Sequence, residues 1–535
     1  MSVAGRSLER LEGRRHLLPG LRASRRVWLL GFAGTLAIAL AAALSRPLFN
    51  PAGWGHVGAF LAAALRPELS PSFLRLTWRA ALDTLGYAVL GTTVSVLAGL
   101  VVGPLVSRVA RQVGRRGQGL GMGAARALLS GPRGLHEVVW GLLLVNLLGA
   151  DPAVAVLAIG LPYGAITAKV FAEILDETPQ HAFDALRAAG ARRAAAIGYG
   201  LLPYALPDLV SYSFYRFECS VRSAAVLGVI GAGGLGYELL LSFRTLAYGE
   251  MWTLIYALMG LSGLADLWSG VIRRRLASGR TRRVVRASAA IWLMLVIVSA
   301  SYVGLDLRLL TPQELAARLV AMLGSAWPPA LPGGSWAVVA RASLSTLQMS
   351  LIAIALAASA GALAAALGFT ATGRCGRLLR WGVKLLLLVC RAVPPPVWAL
   401  VVLFVLLPGV LPGAVALALY NFGILGRLMG EASEDAGRAP TQALVAAGAG
   451  PVSAWLYGTA PRLVPRFSAL ALYRWEVTTR ETVIVGLVGA GGLGRLLSDA
   501  FAAFDLHAVF GVLLALIAIA VVVDAVSAQA RAALR

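Results

Sequence analysis

GAGGLG stands at 231–236 and again at 489–494. Upstream of each copy lies YRxE, as Tyr215-Arg216-Phe217-Glu218 and Tyr473-Arg474-Trp475-Glu476. Further upstream comes ALxAAGA, at 185–191 and 443–449. The register is constant: Gly190 to Gly448, Glu218 to Glu476 and Gly231 to Gly489 are each 258 residues. Two copies in the same order define a tandem parallel repeat, an organisation that recurs in membrane transporters.

Composition sets the class. Hydrophobic residues make up 58% of the 535 residues and charged residues only 14%, with a mean hydropathy of +0.77. A soluble chain carries about 25% charged residues, and apolar runs of about 20 residues span a bilayer. The sequence therefore predicts an all-α polytopic membrane protein rather than two soluble domains. The net charge is +23, almost all of it arginine, with lysine only at 169 and 384. The arginines fall between the apolar runs, as the positive-inside rule requires, so the excess does not argue for nucleic acid. Cys219, Cys375 and Cys390 form no CxxC pair, which speaks against a disulfide framework or a metal site.

The apolar runs predict helices near 27–45, 80–103, 135–149, 153–172, 204–230 and 251–272. Counterparts are predicted near 289–305, 340–369, 383–407, 411–430, 464–488 and 507–528. That gives about twelve spans in two halves, 27–280 and 281–535, after a basic segment, 1–26. A basic stretch before an apolar run also describes a signal peptide, but the counterpart at 289–305 favours a retained helix. Six spans per half place both termini on one side. The segments 1–26, 104–133, 173–203, 273–286, 374–380 and 431–463 hold most of the arginine, so that side is cytoplasmic. WPPALPGGSW at 327–336 reads as an interfacial turn with tryptophan anchors on the other side.

Three motifs are candidates for function. GAGGLG matches the dinucleotide fingerprint, but that site needs a strand before the glycines, and a long apolar helix precedes them here. Gly231, Gly233 and Gly234, with Gly489, Gly491 and Gly492, instead read as a sharp turn or a gate at the end of a membrane helix. The ALxAAGA segment, with Ala185, Ala188, Ala189 and Gly190 repeated as Ala443, Ala446, Ala447 and Gly448, reads as a short cytoplasmic helix. Thr178-Pro179 would start it, and glycine would follow its end. Its small residues would face either a partner or the chain's own bundle. YRxE puts charges inside an apolar helix, where each costs about 2.5–3.5 kcal/mol on insertion scales. Glu218 and Arg222, and likewise Glu476 and Arg480, are four apart and can pair. These pairs either cement the bundle or, with Arg216 and Arg474, border an aqueous route for an anion. Ser223 in the first half becomes Glu481 in the second. Asp266 and Asp524 recur in the last spans and read as structural. No G-x-x-x-x-G-K-[ST] occurs, so the chain has no P-loop ATPase site of its own.

Ala188-Ala189-Gly190, followed by Leu202-Pro203, resembles the EAA-type loop of binding-protein-dependent ABC importers. The block LPYALPDLVSYSFYRFECSVRSAAVLGVIGAGGLGYELL, 202–240, is similar to phosphonate permeases, and the chain resembles two such permeases fused head to tail. The second half departs from the pattern at Gly450-Pro451, at Ala460-Pro461 and at Glu481.

The resemblance implies a type I ABC importer permease fold in a bacterial plasma membrane. It implies two ATPase subunits docked under the loops around Gly190 and Gly448, holding ATP and Mg that this chain does not bind. A substrate-binding protein would dock on the outer face. Substrate would pass near 216–236 and 474–494. The expected cargo is phosphonate, with phosphite and phosphate as the nearest alternatives. A stand-alone secondary transporter and a non-transporting scaffold or sensor are the readings from other classes.

Overall fold

The structure is a computed structural model of the chain. It describes residues 34, 36–37, 41, 49–51, 53–111, 131–149, 151–277, 281–305, 312–370, 373–437 and 439–533. The basic segment 1–26, most of the first expected span and much of 104–133 lie outside the described residues.

Helices follow the apolar runs closely. In chain order they are α1 (Gly53–Ala63), α2 (Pro71–Val106), α3 (Glu137–Leu148), α4 (Pro152–Glu177), α5 (His181–Ala188), α6 (Leu202–Leu227) and α7 (Gly234–Arg244). Next come α8 (Tyr248–Ala277), α9 (Thr281–Val303), α10 (Pro312–Ala326), α11 (Trp336–Thr370), α12 (Gly373–Ala392) and α13 (Pro395–Val405). The chain closes with α14 (Val410–Asp435), α15 (Ala439–Ala446), α16 (Pro451–Gly458), α17 (Ala460–Val485), α18 (Gly492–Ala502) and α19 (Leu506–Ala533). Among the described residues seven helices are long and apolar enough to cross a membrane. The number is ten if each of three bent pairs counts as one span.

One expected span is not a single helix. The run 383–407 is broken, with α12 meeting α13 at 99°. Pro394, Pro395 and Pro396 stand at the break. Proline lacks the N–H that would continue α12, and it disfavours helical backbone in the residue before it. α12 carries Arg374, Arg377, Arg380, Lys384 and Arg391, with Leu378, Trp381 and Leu385 exposed beside them. That mixed face suits a helix lying at a membrane surface better than one crossing it.

Packing divides the chain into two compact units, residues 66–321 and residues 1–65 with 322–535. In the unit of 66–321, α2 lies along α4 over small residues. A methyl group at Gly91 would meet Ile159, and one at Gly99 would meet Thr167. Ser95 and Thr167 share a hydrogen bond of 2.8 Å across this seam. Small residues let membrane helices approach where lipid supplies no hydrophobic drive. Phe214 and Phe217 of α6 pack edge-on against Trp268 of α8 and Trp292 of α9. The Trp292 indole donates to Thr93 of α2 at 3.2 Å.

The other unit has its own core of Met349, Ile352, Ala353, Leu417 and Val485, against which Leu36 packs. Its α1 lies on α13, where the Asn50 N–H donates to the Val405 carbonyl at 2.7 Å. The packing units therefore run out of phase with the repeat. Leu36, Asn50 and α1 pack with 322–535, while α9, which opens the second copy in the 258-residue register, packs within 66–321.

Candidate functional site

The two GAGGLG stretches are built identically. After α6 and α17 the backbone widens into single π-type turns, Gly228–Ala232 and Gly486–Ala490. The chain then bends by 55° into α7 and by 62° into α18. Gly231, Gly233 and Gly234 have φ of 99°, 85° and 74°, and Gly489, Gly491 and Gly492 have 106°, 88° and 71°. Side chains rarely tolerate such values, which explains the residue type. Gly236 meets a second constraint: a Cβ there would lie 1.8 Å from the Ala225 carbonyl oxygen. The glycines fold the end of each span back against itself, with a helix rather than a strand before them.

A threonine from another helix closes each turn. The Leu235 N–H donates to Thr84 Oγ1 at 2.9 Å, and the Thr84 hydroxyl donates to the Ala80 carbonyl. In the second copy the Leu493 N–H donates to Thr346 Oγ1 at 3.0 Å, and Thr346 donates to Ala342. A helix start leaves its first N–H groups without partners in the helix. Here a side chain on α2 or α11 accepts one of them.

The arginines of the two copies have different surroundings. Arg474 is buried, with 9% of its surface exposed. It donates to Glu481 at 2.9 and 3.2 Å and to Asn421 Oδ1 at 2.7 Å. Thr478 also donates to Asn421, and the Asn421 amide reaches Glu481 at 3.4 Å. Arg216, its counterpart, sits among aromatic rings. Its guanidinium lies 4.7, 5.3 and 5.9 Å from the centroids of Tyr163, Tyr212 and Tyr215, and it donates twice to the Tyr212 hydroxyl. Ser223, at the position of Glu481, donates to Glu137 at 2.6 Å and bonds Tyr163 at 2.7 Å. Glu137 in turn lies 3.3 Å from His136.

The expected pairing within α6 is present, with Arg222 3.4 Å from Glu218. In the second copy the counterparts Glu476 and Arg480 each pair with another helix instead. Glu476 accepts from Arg531, and Arg480 lies 3.6 Å from Asp524, both partners standing on α19. Four-residue spacing permits a pair, but the long arginine of a neighbouring helix competes for the same carboxylate. Asp524 is tied into the bundle by this contact.

The short helices of the two ALxAAGA segments are α5 and α15. Thr178 does not start α5. Its hydroxyl and N–H both donate to Ile174, so it closes α4, and α5 begins at His181. Gly190 follows α5 with φ 83°, its N–H reaching Arg187 while the Ala191 N–H reaches Leu186. Gly448 repeats this with φ 91°. The remaining face is anchored. Phe183 is 1% exposed and packs with Phe171, Leu175, Leu201 and Leu209. Thr441, its counterpart, bonds Thr459. Ala185, Ala188, Ala189 and Gly190 stay exposed, as do Ala443, Ala446, Ala447 and Gly448. Each helix thus packs on its own bundle by one face and presents small residues on the other.

Several of these residues escape a motif search. Thr84, Thr346, Tyr163, Asn421 and Glu137 lie on other helices than the motifs they complete. The available signal is a polar side chain inside an apolar run, as Asn421 is in α14. Among the described residues no three His, Cys, Asp or Glu side chains converge as a metal site.

The geometry describes a duplicated membrane bundle with paired kinked spans and paired surface helices. The sequence matches the model of the binding-protein-dependent transport system inner membrane component over residues 95–309 and 360–534. The chain belongs to this family: it is a multi-pass inner-membrane permease with the family's domain present twice. It is similar to the phosphate-import permease protein PhnE of Mycolicibacterium smegmatis, with 27% identity over 461 residues, 85% of each chain. It is also similar to the phosphite transport system permease protein PtxC of Stutzerimonas stutzeri. There the identity is 33% over 222 residues, 42% of this chain and 78% of that one. Among solved structures, an inward-facing MetNI methionine ABC transporter overlaps 39% of this chain and 99% of its own. Its TM-score is 0.35 and its identity 23%.

Proposed function

We propose that this chain is the permease of an ATP-driven importer for phosphonate or a related small phosphorus oxyanion. Two ATPase subunits, which hold ATP and Mg, dock on the cytoplasmic side under the surfaces around Gly190 and Gly448. A substrate-loaded binding protein docks on the outer side, and both termini are cytoplasmic. Closure of the ATPases pushes α5 and α15, which rock the helices packed on them between inward-open and outward-open states. Substrate passes along 216–236 and beside the second glycine turn, 489–494, and the two turns form the gate.

The observation that carries this reading is the duplicated pair of surface helices. Each is anchored on one face, by Phe183 or Thr441, and bare with small residues on the other. A rigid element so placed can transmit a push, and small residues admit a partner helix closely. The oxyanion rests on the similarity to phosphate-import and phosphite transport permeases and on arginine inside the spans.

The test is ATP hydrolysis by the chain reconstituted in lipid with its ATPase and binding protein. Methylphosphonate, phosphite, phosphate and an unrelated amino acid are added in turn. Stimulation by one oxyanion, only with loaded binding protein, supports the reading. Stimulation by the amino acid, or by none of the four, removes the oxyanion. A Gly190→Trp variant should hydrolyse ATP without coupled uptake, and full coupled uptake by it would remove the docking assignment.

A further inference from the structure

We infer that the two copies divide the work on the anion: Arg216 of the first copy is the transported oxyanion's cationic contact, and Arg474 of the second is a closed structural pair. This rests on the importer reading above.

Four arginines line the two charged stretches, and three have a carboxylate within 4.0 Å. Arg222 has Glu218, Arg474 has Glu481 and Arg480 has Asp524. Arg216 has none among the described residues. Its neighbours are phenol rings and one phenol hydroxyl, which hold a guanidinium by its faces and leave its charge unmatched. Glu137, the carboxylate nearest in role, is occupied by Ser223 and His136.

The position matters as much as the charge. Tyr163 stands near the middle of α4, so the cation is held at depth rather than at a helix end. A cation at depth calls for a counter-charge, and a mobile oxyanion supplies one. The aromatic cage also suits passage. Tyr212 engages the nitrogens Nε and one Nη, so the remaining Nη hydrogens stay directed to an arriving oxygen. Cation–π contacts hold the group without quenching its charge, so the anion can bind and leave. Arg474, gripped by Glu481 and Asn421, has no such freedom, and an anion there would displace a bidentate carboxylate.

The difference is written in two substitutions between copies, Tyr163 against Asn421 and Ser223 against Glu481. The second copy gained an internal anion where the first kept an aromatic cradle. A guanidinium that has its own carboxylate needs no cargo.

The test uses the complete importer in proteoliposomes, with whichever of methylphosphonate, phosphite or phosphate stimulates the wild type. Arg216→Gln should lower the maximal uptake rate at least about tenfold at wild-type membrane yield. The half-saturating concentration should hold within about twofold, because the binding protein sets it. Arg216→Lys should recover part of the rate. The double variant Arg474→Met with Glu481→Met should keep uptake within about twofold of wild type. Wild-type uptake by Arg216→Gln overturns the inference. So does loss of the folded chain from the membrane in Arg216→Gln, which makes the guanidinium a scaffold. A tenfold fall in the double variant at normal yield overturns the division of labour. If the wild type imports none of the oxyanions, it is the importer reading that fails, before any variant is compared.

Discussion

Thr346 holds the place in the second copy that Thr84 holds in the first, although 84 to 346 is an interval of 262 residues rather than 258. By α4 and α14 the interval is back at 258, from Pro152 to Val410. Four residues are close to one helical turn. The shift therefore leaves the hydroxyl on the face that meets the glycine turn. Thr84→Val and Thr346→Val each strand a buried N–H, which costs about 1–3 kcal/mol. Thermal unfolding of the purified chain should show a lower midpoint for both, and a larger drop when they are combined.

The glycine turns should discriminate between two kinds of constraint. Gly231 has open space around it and only an unfavourable φ, whereas Gly236 faces the Ala225 carbonyl at a distance no Cβ tolerates. Gly231→Ala should cost about 1–2 kcal/mol, the scale of placing a side chain in left-handed backbone. Gly236→Ala should abolish monodisperse protein. Size-exclusion profiles of the two variants in one detergent decide it, and equal behaviour would contradict the geometry.

The ion pairs should rank by burial. Arg531 with Glu476 is largely shielded, whereas Arg427 with Glu431 is 34% and 50% exposed. Breaking a buried pair from one side costs about 3–5 kcal/mol, while an exposed pair is worth about 0–1 kcal/mol. Arg531→Met should lower the unfolding midpoint clearly and Arg427→Met hardly at all. Adding Glu476→Met to Arg531→Met should restore part of the loss, because the uncompensated carboxylate goes with it.

Phe183 fixes α5 to its bundle, and Gly200 approaches it closely enough that a methyl group would meet the Phe183 backbone at 2.8 Å. Phe183→Ala should remove about 3–5 kcal/mol of packing. Because α5 lies at the surface, the effect should be local. Hydrogen exchange in 181–200 should rise several-fold while α8 and α19 keep their protection. Exchange rising everywhere would show that α5 is part of the global core.

Much of this was legible in the sequence, and the reason is the 258-residue register. Motifs on one helix repeat exactly, so the glycine turns, the charged stretches and the surface helices are found by comparing the chain with itself. Partners on other helices are not. Nothing in the spacing of Glu476 and Arg480 says that Arg531 lies within reach, because helix packing, not sequence distance, decides which cation arrives. Thr84 and Thr346 were hidden by the four-residue shift. The break in 383–407 was present as three consecutive prolines, but apolar content outweighed them in a reading by hydropathy. Thr178 shows the same competition on a small scale: a good helix-starting residue is also a good last residue when its hydroxyl can turn back to Ile174.

The exchange of opening helices sets a clock on biogenesis. Residues 49–63 are synthesised before 66–321, yet the α13 surface they pack on is made only afterwards. At about 5–20 residues per second, the stretch from residue 64 to the end of α13 at Val405 takes roughly 17–68 s to emerge. During that time the unit of 66–321 can close once α9 is made, while the leading segment has no permanent neighbour. Whatever assists insertion of this chain must hold its beginning until its second half exists. A slower ribosome lengthens that wait, and lengthens it most for the N-terminal segment, whose partner on α13 is made only after 66–321.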